Sequence, residues 1–197
     1  MIIVGLTGSI GMGKSTVAQM FAEAGAPAYS SDTAVHELYA PGGAAVAPVE
    51  AAFPGVNKNG GIDRGLLSQA LLQNPGAFKQ LEAIVHPLVR DMQIKFLRAH
   101  NAAGTPVIVL DIPLLLENDG AHEVDKVVVV SAPAWVQKAR VMGRPGMSEE
   151  KFAQMLSRQM PDAEKRKKAD YIIDTGVPLE QTRKQVRAVL DAIREQD

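Results

Sequence analysis

The segment Gly8-Ser9-Ile10-Gly11-Met12-Gly13-Lys14-Ser15 constrains this chain more than any other. It has the spacing glycine, four residues, glycine, lysine, serine, and it sits where that pattern needs to sit. Before it runs Ile2 to Thr7, short and β-branched; after it, Lys14 to about Ala24 puts Val17, Met20 and Phe21 on one helical face. The order is therefore strand, glycine loop, helix. Glycines let a backbone wind around phosphate oxygens with several N–H groups pointing inward, and the following helix adds the positive end of its dipole. A glycine turn that only caps the helix is the plainer alternative. It leaves Lys14 unexplained, because a lysine at a helix start opposes the dipole unless an anion is present. The binding set is then Gly8, Gly11, Met12, Gly13, Lys14, Ser15 and Thr16: Lys14 for the β- and γ-phosphates, the Ser15 hydroxyl for Mg²⁺, and Thr16 for the α-phosphate.

Further apolar runs at Val107 to Leu110, Val127 to Val130 and Tyr171 to Ile173 are too continuous to have one face in water. Helical patterns lie between and after them, at Trp135 to Met142 and in a terminal stretch with Leu179, Val186, Leu190 and Ile193 on one side. Alternating strands and helices predict an α/β fold: a parallel sheet flanked by helices, with ligands beyond the carboxyl ends of the strands. The core is expected over 1–31, 105–139 and 169–197. From Asp32 to Gly104 strand signals stop, and helix-like pieces are punctuated by PGG, FPG, NKNGG and NPG, so 32–104 is expected to be a helical insert. A second interruption at 140–168, polar and basic with RPGMS at its centre, suits a mobile lid over a site.

Composition removes several classes of function. A formal net charge of −1 leaves no global field for a polyanion, so nucleic acid is not an expected partner. The chain has no cysteine, which excludes disulfides and thiolate chemistry and fits a cytoplasmic protein. The apolar start lacks a basic leader region, and stretches such as VIVL and KVVVV are far shorter than the roughly 20 residues that span a bilayer. No membrane association is expected. A monomer is the default, with an oligomer left open.

Two aspartates stand at strand ends. Asp32 follows the short apolar segment Ala26 to Tyr29, where it can orient an acceptor hydroxyl and take its proton, or it can simply cap the helix-like stretch after it. Asp111 closes VIVLD and is either a support for the metal or a strand-end turn before Pro113.

Four segments, in order, resemble the dephospho-coenzyme A kinase family: GLTGSIGMGKS at the start; LEAIVHPLVR, Leu81 to Arg90, like that family's acceptor-side helix pair; DIPLLLE, Asp111 to Glu117; and Gln137 to Arg144 with the later ADYIID, Ala169 to Asp174. The resemblance implies transfer of the ATP γ-phosphate to the ribose 3′-hydroxyl of dephospho-coenzyme A, with Mg²⁺. It also implies a nucleoside-monophosphate-kinase-like sheet, a helical acceptor domain and a lid.

By the same resemblance Asp32 is the catalytic base, Arg140 the lid arginine, and Arg64 an acceptor-phosphate contact, with Arg90 a further one. Arg144 either holds nucleotide phosphates or is a solvated helix charge. His86 either meets the acceptor or is a buried histidine tying off a helix. Lys165-Arg166-Lys167-Lys168 reads as a solvated or nucleotide-facing surface rather than a nucleic-acid patch. The chain departs from the family at Ser30, where an aspartate is frequent, and at Thr175, where asparagine is frequent. Competing functions are another small-molecule kinase, of the nucleoside-monophosphate or shikimate type, and a nucleotide-dependent switch, although no N-K-x-D guanine motif occurs.

Overall fold

The structure is a computed structural model and describes residues 1–72 and 75–195. Asn74 of the expected NPG break lies outside these. The described chain divides into two compact units, one of Met1–Ala28 with Asn101–Asp197 and one of Tyr29–His100.

In the first unit β1 (Ile2–Thr7) pairs in parallel with β5 (Val107–Asp111) on one side and with β6 (Lys126–Ser131) on the other. Strand β7 (Tyr171–Asp174) pairs in parallel with β6. With β2 (Ala28–Ser30) at the edge, the sheet among the described residues runs β2-β5-β1-β6-β7. Non-sequential neighbours in a parallel sheet demand crossover helices, and these bury both faces. Side-chain alternation along β6 shows it: Val128 and Val130 join one apolar cluster, Val127 and Val129 the other. The first cluster is completed by Val17, Met20 and Phe21 of α1 (Lys14–Glu23) and by Val186, Leu190 and Ile193 of α9 (Leu179–Arg194). The second is completed by Leu115 and Leu116 of the DIPLLLE segment. The expected face of α1 is turned inward, and so are Val186, Leu190 and Ile193 of α9, but Leu179, expected on the same side, is exposed at the start of that helix.

The second unit is built from α2 (Ser31–Tyr39), α3 (Val46–Ala52), α4 (Arg64–Leu72) and α5 (Ala77–Ala102, running past the unit boundary) around its own core of Leu38, Val49, Phe53, Val56, Leu67 and Val85. Two expectations need correction here. The insert is not free of strands: β3 (Asn57–Lys58) and β4 (Gly61–Ile62) form an antiparallel hairpin whose turn, Asn59 and Gly60, has φ of 54° and 82°. Two positive φ values make the turn type that suits a two-residue hairpin, and strands of two residues are too short to show alternation in sequence. The segment LEAIVHPLVR is not a helix pair but part of the single helix α5, which carries Pro87 inside it. Proline removes one i→i−4 hydrogen bond, and the helix continues on the others.

The expected lid, 140–168, consists of the end of α6 (Ala134–Met142), then α7 (Glu149–Ser157) and α8 (Asp162–Lys167), all in the first unit. Ser148 of RPGMS caps α7, its hydroxyl accepting from Lys151 N–H at 3.3 Å. The basic run that opens with Lys165 is not wholly a surface. Lys165 is fully buried, its ammonium 2.8 Å from Glu117 Oε1. A charge can be buried only when paired, and the partner was out of sight in sequence, 48 residues earlier.

Candidate active site

Strand β1 delivers its chain directly into the glycine loop, and two glycines there have no substitute. A Cβ on Gly8 would lie 2.7 Å from the Val130 carbonyl oxygen. Gly11 has φ +78°, and a Cβ on it would lie 2.5 Å from Val141 Cγ2. The loop is therefore pressed against β6 and α6 by its own bareness. Helix α1 then opens with Gly13 as its N-cap in the left-handed region, with no side-chain cap and no acidic residue in its first turn. The first N–H groups of a helix have no partner inside it, so this end is open to an anion.

Lys14 and Asp111 are brought together at that end as an ion pair, both largely shielded from water. Lys14 thus has a resting partner, and Asp111 stands beside the loop rather than in a simple strand-end turn. Ser15 and Thr16 are exposed at the start of α1. Met12 differs from its neighbours: its side chain is buried, its sulfur accepts from Ala132 N–H at 3.1 Å, and its own N–H donates to the Ser9 carbonyl at 3.1 Å.

A cavity of about 180 Å³ opens beside the loop, lined by Gly11, Gly13, Thr16, Arg140, Arg144, Thr175, Leu179 and Thr182. Arg140 and Arg144 thus meet the loop residues of the sequence reading in one place. Arg140 lies in the last turn of α6 and grips Thr175 with both terminal nitrogens, donating to its hydroxyl at 3.0 Å and to its carbonyl at 2.7 Å. The Thr175 hydroxyl in turn donates to the Met12 carbonyl at 2.7 Å. Thr175, a departure from the family pattern, is buried and joins β7, the loop and Arg140.

Sequence reasoning missed a polar clamp behind the loop. Ile10 N–H donates to Gln159 Oε1 at 3.0 Å, and Ile10 C=O accepts from Gln137 Nε2 at 2.8 Å. Beside it, Met160 N–H donates to Glu117 Oε1 at 2.8 Å, and the Ser131 hydroxyl donates to Asp162 at 2.7 Å. A lone glutamine in a polar segment carries no sequence signal for such a role.

The acceptor-side residues belong to the second unit. Asp32 is exposed in the first turn of α2, and the cap of that helix is Ser30, whose hydroxyl accepts from Thr33 N–H at 3.4 Å. Capping is therefore not the work of Asp32, and Ser30, the other departure from the family pattern, performs it. His86 and Arg90 are exposed on α5, which corrects the reading of His86 as a buried histidine. Arg64 opens α4, its guanidinium 5.7 Å from the centre of the Tyr39 ring, and lines a cavity of about 420 Å³ with His36, Lys58 and Asp63 among others. Burial pushes the Tyr39 hydroxyl pKa up, with Arg64 opposing. The Leu66 and Gly65 amides hold the Asp63 carboxyl below its usual range.

The sequence model of the family described as dephospho-CoA kinase matches residues 2–180. The chain belongs to the dephospho-CoA kinase family. A dephospho-CoA kinase of Mesorhizobium japonicum is 57% identical over 196 residues, covering 100% of this chain and 98% of that one. One of Rhizobium meliloti is 55% identical, with 98% and 99% covered. Among solved structures, the dephospho-CoA kinase from Campylobacter jejuni is 26% identical, with 98% of each chain covered and a TM-score of 0.72. A kinase of this family uses ATP. Among the described residues no helix is long and apolar enough to cross a membrane.

Proposed function

We propose that this chain transfers the γ-phosphate of ATP to the ribose 3′-hydroxyl of dephospho-coenzyme A, giving coenzyme A and ADP. The observation that carries the transfer reading is the start of α1, uncapped and free of acid, with Lys14 already paired to Asp111. Such an end awaits a multiply charged anion, and the choice of acceptor is supported by full-length relatives of that name.

In this reading loop amides and Lys14 bind the β- and γ-phosphates, and Thr16 meets the α-phosphate. The exposed Ser15 hydroxyl and the Asp111 carboxylate are the oxygen donors that suit Mg²⁺, a hard cation that takes oxygen ligands. When bound, the metal neutralises charge between the β- and γ-phosphates. Lys14 exchanges one anion for another as nucleotide enters, so its charge is never left unpaired. Arg140 is one side of the nucleotide cavity; its guanidinium neutralises charge on the transferring group, and Arg144 assists in holding phosphates.

Asp32 orients the acceptor hydroxyl and takes its proton as the new P–O bond forms and the bond to ADP breaks. Its exposure, with the capping task carried by Ser30, leaves its carboxylate free for this. Arg64, His86 and Arg90 contact the acceptor, Arg64 from its cavity of cationic and aromatic groups. The compartment is the cytoplasm, a reading that rests on the sequence alone.

The experiment supplies Mg-ATP with dephospho-coenzyme A and with AMP in parallel and identifies the phosphorylated product. Coenzyme A is expected from the first. Phosphorylation of AMP with dephospho-coenzyme A untouched overturns the reading in favour of a nucleoside-monophosphate kinase.

A further inference from the structure

We propose that Gln159 and Gln137 are positioning residues that set the shape of the phosphate loop before nucleotide arrives, by holding both sides of one residue, Ile10. The two bonds are complementary. Gln159 offers its oxygen to the Ile10 N–H and Gln137 its nitrogen to the Ile10 C=O, so the peptide planes on either side of Ile10 are both fixed. A backbone donor and a backbone acceptor admit only one orientation for each side-chain amide.

The clamp works from outside the nucleotide cavity. Neither glutamine lines it, nor does Ile10, whereas the next residue, Gly11, does. Gln137 is buried on α6, the same helix against which Gly11 is pressed and which carries Arg140. Gln159 is held by its surroundings too. Its neighbour Met160 is bonded to Glu117, which pairs with the buried Lys165. The loop tip is thus pinned to two supports, α6 and the segment between α7 and α8. A loop of glycines has the most conformational freedom to lose on binding a ligand, and fixing it in advance removes part of that cost from binding. The consequence for nucleotide affinity rests on the kinase reading; the clamp itself does not.

Because the two glutamines use opposite ends of their amides, the same change at each gives opposite results. Gln159→Glu keeps an acceptor for Ile10 N–H; Gln137→Glu sets a carboxylate against the Ile10 carbonyl. Gln159→Met keeps the shape and loses the acceptor. The first measurement is amide hydrogen exchange of Ile10 in the nucleotide-free protein, expected about tenfold faster in Gln159→Met and close to the parent in Gln159→Glu. The second is the Kd for Mg-ATP, expected to rise ~5–10-fold in Gln159→Met, less than ~3-fold in Gln159→Glu and more than ~10-fold in Gln137→Glu.

In Gln159→Met the loss should fall on the KM for ATP, with kcat within ~3-fold, since the bond is made equally in ground and transition states. Equal Ile10 exchange in parent and Gln159→Met overturns the proposal. So do Gln159→Glu and Gln159→Met variants that behave alike, as simple packing would make them. If Gln137→Glu does not fold, the Gln159 series decides alone. A parent that takes up no ATP would remove the kinase reading while the exchange measurement still decides the clamp.

Discussion

Replacing Lys165 by methionine should destabilise the first unit by about 3–5 kcal/mol, the usual cost of deleting one partner of a buried ion pair. The structure explains why the high part of the scale applies. The Lys165 side chain is 0% exposed and that of Glu117 12%, so water cannot move in to solvate what remains. The ammonium is near Glu117 Oε1 without completing an aligned hydrogen bond, and Glu117 Oε2 has no hydrogen-bond partner among the described residues, so attraction between charges is most of what holds the pair. After Lys165→Met the carboxylate keeps only the Met160 N–H. Glu117→Gln instead strands the ammonium and should cost a similar amount. The double variant Glu117→Gln/Lys165→Met removes both charges while keeping an oxygen for Met160 N–H, and should be more stable than the sum of the single losses by at least ~2 kcal/mol. Urea unfolding followed by far-ultraviolet circular dichroism at pH 7 measures all four proteins. At ~2–4 °C per kcal/mol for a chain of this size, the single variants should lose about 6–20 °C in Tm. A Lys165→Met protein within ~1 kcal/mol of the parent, or additive losses in the double variant, would refute the argument that the pair is an electrostatic unit.

Three further outcomes are expected. Asp32→Asn should lower turnover by ~10²–10⁴-fold while leaving ATP titration unchanged, as loss of a general base does; parent-like turnover removes Asp32 from that role. Lys14→Ala should weaken ATP binding by more than ~10-fold in a calorimetric titration, because the β/γ-phosphates lose their counterion and Asp111 becomes an unpaired neighbour of like charge. Glu23 is held below its ordinary value of 4.5 by hydrogen bonding from Arg183 and then Gln19. A depressed carboxylate contributes stability that is present above that value and lost as the pH falls through the lower, folded one. Glu23→Gln should therefore lower Tm modestly at pH 7, where the contribution is present, and flatten the acid limb of the Tm–pH profile below pH 4.5, where the parent loses it.

Much of the first unit is legible in sequence because its signals are local. GSIGMGKS between a strand and a helix fixes what β1, the loop and α1 must be, and a β-branched run such as KVVVV can only be a strand covered on both faces. The face of α9 follows from spacing alone, since Val186, Leu190 and Ile193 recur at helical intervals and are the residues found buried. In the second unit the reading weakens for physical reasons. A hairpin with two-residue strands leaves no alternation to see, and a proline in the middle of LEAIVHPLVR looks like a break although a long helix can absorb one lost bond. The Ser30 cap was hidden by the more conspicuous Asp32 two residues later.

The sequence singled out anions and cations as candidate site residues and passed over the amides that hold Ile10, and the difference has a cause. Lysine, aspartate and arginine announce themselves because a charge must have a reason to be where it is, whereas glutamine is at home on any surface. The same logic failed once for a charge. Lys165 sits in a run of four basic residues, where solvation is the default, and only the fold brings Glu117 to it. That pair anchors the segment from which Gln159 reaches Ile10, so the feature that best resembles an unremarkable surface in sequence is a support of the phosphate loop. A basic cluster far along the chain from a glycine loop cannot be assigned to solvent until the acids of the segments that follow each strand, as Glu117 follows β5, have been given partners.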